Sequence, residues 1–271
     1  MLLDCVKQLE YKSDFERSRT LKNILKNKNI KFIEQKYSYF NFQGTNIIVD
    51  AGNLKSKKHI ILSAHFDVVS GSPGANDDAS AIAILIDVIE KLRKLKLNKK
   101  VRIIFFDDEE IGRFGSISYI KKFGMEDLIA VYHLELCGYG DAIGLWPITK
   151  VNEDSPALKI IEKILREKKI YFEKIGKLPV FWGDQDSFLN RGFKNTLCIT
   201  VAPKEDKEAI KRFAKGNVLK IIFDFYAGRI PKMFKLYHSP EDKSEYLSED
   251  ALKMVSKVLV RVVLKFDKEN L

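Results

Sequence analysis

Between residues 58 and 106 the chain carries three apolar segments in a fixed order: "KHIILSAHFD" (58–67), "DDASAIAILIDVIEKLRKL" (77–95) and "VRIIFF" (101–106). The outer two read as buried strands and the middle one as a long helix. A strand joined to the next strand through a helix is a crossover unit, which points to a sheet with parallel pairs and helices packed on its faces. The rest of the sequence extends this pattern. A helical segment covers 3–28, and extended segments at 31–42 and 46–50 are split by the turn signal "QGTN". Helices are expected at 115–123 and 155–168, and strands at 129–136, 170–175 and 195–201. A last helix at 248–266 opens on "SED", a capping signature. This alternation predicts an α/β fold, a three-layer α/β/α sandwich with a mixed, largely parallel central sheet, in one domain over residues 1–271.

Composition excludes some functions. A 271-residue chain with 45% apolar residues can bury a substantial core. The formal charge of +10 comes largely from lysines in pieces such as "KLRKLKLNKK" (91–100), which alternate with apolar residues or close helices. They read as solvated helix faces, and no nucleic-acid partner is expected. Cys5, Cys137 and Cys198 are odd in number and show no Cys-x-x-Cys spacing, so neither a disulfide framework nor a thiolate zinc site is indicated. No apolar segment is long enough for a signal peptide or a bilayer span, so no membrane partner is expected and a cytoplasmic location is the default.

In α/β sheets ligands bind beyond the carboxyl ends of the strands, so the residues after each strand carry the functional signal. After the first strand comes "HFDVVSGSPGANDDAS", after the second "DDEE", and near the end of 129–136 "HLELCGYGD". Imidazole and carboxylate groups at several strand ends are the donor types of zinc and related divalent ions. His65 and Asp67 stand two apart, so an extended strand puts them on one face. Asp77 and Asp78 open a helix, where carboxylates also serve as ordinary caps. Glu109 and Glu110 belong to a run of four acids, which is either solvated or neutralised by a cation. His133 reads as a structural partner of Glu135, and His238 lies in "LYHSPEDKSEYLSEDAL" before the terminal helix.

In order, these pieces are His-x-Asp, Gly-x-Asn-Asp-Asp-x-Ser, Glu-Glu-x-Gly-x-x-Gly-Ser, a later acid and His-Ser-Pro-x-Asp. The series resembles the co-catalytic zinc aminopeptidase family, which includes glutamate carboxypeptidases and glutaminyl cyclases. The resemblance spans roughly residues 58–140 and 180–265. It implies two zinc ions per chain, with cobalt or manganese also suited to the donors. His65, Asp77, Glu110, Glu135 and His238 are the implied ligands, with Asp77 shared between the metals. It further implies that Glu109 is the general base and that Asp67 orients His65. "WGDQDSFLNRGFKNTLCI" (182–199) resembles the family's "SDHxxF" segment, with Asp184 kept and Gln185 where histidine is usual. Asp184, Trp182 and Tyr139 are expected at the substrate pocket. The implied activity is removal of N-terminal residues from a peptide substrate. A one-zinc glutaminyl cyclase, or a binding protein that keeps the fold, are the alternatives. Residues 203–236 are read three ways, as a helix lining the site, a lid or a contact in a homo-oligomer.

Overall fold

The structure is a computed structural model describing residues 1–179, 181–216 and 218–269. One eight-stranded sheet runs in the order β1-β2-β4-β3-β5-β8-β6-β7. Its strands are β1 (Ile33–Tyr39), β2 (Phe42–Gly52), β3 (His59–His65), β4 (Lys100–Phe106), β5 (Leu128–Leu134), β6 (Ala142–Trp146), β7 (Phe172–Lys174) and β8 (Thr196–Ala202). The centre is parallel, β4 beside β3 beside β5 beside β8, while β1, β2 and the β6/β8 pair add antiparallel contacts. The sheet is therefore mixed, as expected.

Alternation along the central strands builds the layers. Ile60, Leu62 and Ala64 of β3 and Ile103 and Phe105 of β4 face one side, in a core shared with α1 (Leu2–Leu9), α3 (Ser80–Leu92), α5 (Pro156–Glu167) and α10 (Glu249–Lys268). Ile61, Ile104 and Phe106 face the other side, against Tyr119 and Ile120 of α4 (Phe114–Phe123) and Phe188 of α6 (Gln185–Leu189). Period-two side chains on a sheet buried on both faces make a three-layer sandwich.

Three local expectations change. The helical segment 3–28 is two helices, α1 and α2 (Asp14–Asn27), because Ser13 and Glu16 form a reciprocal capping box that starts a new helix. The first hairpin turns at Phe40 and Asn41 rather than at "QGTN", with Tyr39 paired to Phe42 and Phe40 at φ +50°. Residues 142–146, where no strand is expected, form β6. Residues 203–236 are mainly helical, with α7 (Lys207–Ala214), α8 (Val218–Tyr226) and α9 (Met233–Leu236). Ile210, Phe213, Met233 and Phe234 pack with Leu136 and Trp146 beside the sheet, which favours the reading of this segment as helices lining the site.

The terminal helix is capped by Ser248, whose hydroxyl accepts the N–H of Ala251, and its Leu252 is fully buried. Leu252→Ala should cost about 2–5 kcal/mol of stability through lost burial and a residual cavity. Ser248→Ala should cost about 1 kcal/mol. Urea unfolding of the two variants gives both values.

Candidate metal centre

The parallel strands β3, β4 and β5 end level with one another, His65 pairing with Phe106, so the chain leaves all three on one side of the sheet. His65 is the last residue of β3 and is fully buried. Its Nδ1 lies 3.1 Å from the carbonyl of Asp67 and 3.3 Å from Asp67 Oδ1, which fixes the ring and leaves Nε2 facing inward. Nε2 is 3.0 Å from Asp77 Oδ1 and 3.6 Å from Glu135 Oε1.

Asp77 lies in the buried turn Ala75–Ala79 ahead of α3, where its φ of −110° and ψ of 90° depart from a helix. The turn is held by Asp242, whose carboxylate accepts the N–H of Asn76 at 2.7 Å and of Asp77 at 3.0 Å. The other oxygen of Asp77 faces His238 Nε2 at 3.2 Å, and that nitrogen is 2.9 Å from Glu110 Oε2. Two donor groups thus share Asp77: His65 and Glu135 on one side, Glu110 and His238 on the other.

The acidic run after β4 divides by direction. Asp107 accepts the N–H of Thr45 and Asp108 accepts the hydroxyl of Tyr37, so both point back to the first hairpin. Glu110 is oriented inward, its N–H donated to Asp67 Oδ2 at 2.9 Å. Glu109 offers a carboxylate oxygen to the same space as His65 and Glu110.

The charges are strongly coupled. Burial lowers the proton affinity of His65, but Asp67, Asp77 and Glu135 outweigh it and raise the imidazole well above its usual range. Burial likewise opposes protonation of His238, yet Asp77 and Glu110 push it up to about 10. Burial and the Asp77 charge raise Glu110 to about 7. Burial raises Glu109 well above the ordinary carboxylate range, helped by Glu135, Asp184 and Glu110. The site therefore favours positive charge at the two Nε2 atoms that face the carboxylates. Asp78 Oδ1 and Glu110 Oε1 are buried without a hydrogen-bond donor. Carboxylate oxygens in that state fit a divalent cation, whose oxygen and imidazole donors these are.

All the expected ligands, with Asp67 and Glu109, meet at this centre. Asp184, fully buried at the start of α6, lies in the electrostatic field of His133, His65 and Asp67, with burial pushing it up to about 6. Trp182 is 56% exposed and lines an apolar cavity that opens beside Glu135 and Tyr237. Tyr139 is half-buried and packs against the apolar cluster of Leu136, Trp146, Ile210 and Phe234, whose members wall that cavity. His133 acts as expected, bridging Ser63 Oγ at 3.1 Å and Glu135 Oε2 at 3.2 Å. The sequence offers Asp78 only as a helix cap, but it accepts the N–H of His65 and can join His65 and Glu135 in a donor group. Sequence reasoning assigned no role to Asp242, although "HSPED" contains it.

Comparison with known proteins gives the same frame. Aminopeptidase YwaD of Bacillus subtilis (strain 168) is 21% identical over 222 residues, covering 80% of this chain and 43% of that protein. The chain thus spans less than half the length of this curated relative. The solved structure of LapA aminopeptidase from Legionella pneumophila superposes with a TM-score of 0.72 at 16% identity, covering 99% of this chain and 70% of that one. Glutaminyl cyclase from Porphyromonas gingivalis superposes with a TM-score of 0.73 at 15% identity, covering 98% and 97%. At these identities the two structures establish a shared fold. The model of peptidase family M28 matches residues 46–263, and the chain belongs to that family.

Proposed function

We propose that the chain is a metal-dependent aminopeptidase that hydrolyses the first peptide bond of a peptide, with zinc as its metal. The observation that carries this reading is the pair of donor groups sharing Asp77, with Glu109 beside them. In our reading His65, Asp77 and Glu135 hold one ion, and Asp77, Glu110 and His238 hold a second. A divalent cation bound there polarises a carbonyl and makes water more acidic. Glu109 takes the proton of the attacking water on its carboxylate and passes it to the departing amine, work that suits a carboxylate whose proton affinity is raised by burial. Asp67 keeps the His65 ring in one orientation throughout.

The adjoining cavity receives the side chain of the cleaved residue. Leu136, Trp146, Ile175, Phe181, Met233 and Phe234 form its walls, so apolar residues fit and charged ones lose hydration without a partner. Metal analysis of the purified protein with a panel of aminoacyl amides tests the reading. Leu, Met or Phe substrates should exceed Glu and Lys substrates by about 10-fold or more in kcat/KM. A metal-free active enzyme, or a metal-loaded one that cleaves no aminoacyl amide, would sink it.

One observation favours a second reading, a glutaminyl cyclase. The Porphyromonas gingivalis glutaminyl cyclase shares this fold over 98% of the chain, with a TM-score of 0.73. In that reaction the amine of an N-terminal glutamine attacks its own side-chain amide and ammonia leaves. Turnover of a glutaminyl peptide with ammonia release and no peptide cleavage selects it.

A further inference from the structure

Residues 1–45 lie outside the span matched by the family model, yet one side chain from them reaches the metal centre. Arg17 of α2 is fully buried. Its Nε donates to the Leu9 carbonyl at 3.2 Å, and its Nη1 lies within hydrogen-bond distance of the carbonyls of Phe66 (3.4 Å), Asp67 (3.3 Å) and Asp77 (3.5 Å). Its Nη2 donates to the Gly74 carbonyl. These carbonyls come from three separate segments: the end of α1, the loop that carries Asp67 and the turn that carries Asp77. Gly74, at φ +66°, leaves room for the guanidinium, since a Cβ there would collide with it and with Val68. The charged groups that Arg17 faces are the carboxylates of Asp67, Asp77, Asp78 and Asp242. A buried cation is costly, and this one directs its hydrogen bonds to the main chain of the site rather than to a carboxylate.

We propose that Arg17 is a positioning residue for the metal centre, its planar fork holding the Asp67 and Asp77 segments at a fixed separation so that the donors meet a cation already arranged. The inference rests on the metal-dependent reading above. Five donors in a rigid plane can tie several carbonyls at once, and a lysine ammonium cannot reproduce that geometry.

The test uses the full chain with Arg17→Gln and Arg17→Lys, stripped of metal. Zinc affinity is measured by competition with a chromophoric chelator, alongside the Tm of each metal-free protein. Both variants should bind zinc at least ~10-fold more weakly than wild type, the range seen when a partner that orients ligands is lost. The sign is diagnostic. Removing a nearby positive charge would by Coulomb's law tighten binding of a cation, so weaker binding by the glutamine variant reports lost positioning. A lower Tm with unchanged zinc affinity would overturn the proposal and leave Arg17 a scaffold residue. If the glutamine variant does not fold, the lysine variant, which keeps the charge, decides by the same measurement. A wild-type protein that binds no zinc in this titration would instead remove the metal-dependent reading, and the role of Arg17 with it.

Discussion

Glu109→Gln leaves the metal content and Tm of the protein at wild-type values and lowers kcat on aminoacyl substrates by about 10²–10⁴-fold, the span contributed by a positioned proton acceptor. The substitution keeps the shape of the side chain and removes its ability to take a proton. Glu109 shares its space with His65 and Glu110 but makes none of the 3.0–3.6 Å contacts through which His65, Asp77 and Glu135 converge. Its loss should therefore fall on the chemical step, seen as equal decreases in kcat and kcat/KM. The adjacent substitution Glu110→Gln separates the two roles. Glu110 Oε2 is 2.9 Å from His238 Nε2, so this change should cost metal first and activity as a consequence. Metal analysis beside steady-state kinetics distinguishes the pair. Activity near wild type in Glu109→Gln would remove Glu109 from the mechanism.

The parts of the fold that could be read from sequence were those in which one segment carries its own signal. β3 and β4 are apolar runs of strand length and α3 one of helix length, and the rule that ligands gather at strand ends then led to His65, Asp77 and Glu109. β6 escaped because "AIGLW" is a strand by virtue of its neighbours, pairing with β8 and β7 that lie far along the chain. Five residues after a glycine-containing loop give little local evidence for that. The break between α1 and α2 was visible in principle. Ser13 and Glu16 have the spacing of a capping box, but the apolar positions on either side run on in helical register.

The centre divides the same way. Residues that offer side-chain atoms to a cation announce themselves by type and order. Residues that work on the main chain do not. Asp242 holds the amides of Asn76 and Asp77 from across the fold, and Arg17 binds carbonyls of Phe66, Gly74 and Asp77. A carbonyl has no residue identity, so no pairing pattern in the sequence points to its partner. A fully buried arginine on an otherwise amphipathic helix is the one trace of such a role, and it needs the structure to be recognised.

Asp77→Asn should empty both donor groups, because Asp77 contacts His65 at 3.0 Å and His238 at 3.2 Å. The amide keeps the size but loses the negative charge and one of the two acceptor oxygens. Metal affinity should drop by more than the ~10–100-fold typical of losing an outer partner, and activity should fall with it. Stability reports the same event independently. A ligand that binds only the folded state stabilises it by about 2.7 kcal/mol at a hundred times its Kd. Wild type should therefore show a Tm that rises with zinc and falls with chelator, while Asp77→Asn should show neither. Single-side variants then count the ions. His238→Ala touches only the group with Glu110, and Glu135→Gln only the group with His65. If two ions are bound, each variant should keep one. If His238→Ala loses all metal while Glu135→Gln keeps its full content, the chain holds a single ion on the Glu110 side, and the cyclase reading gains over the peptidase.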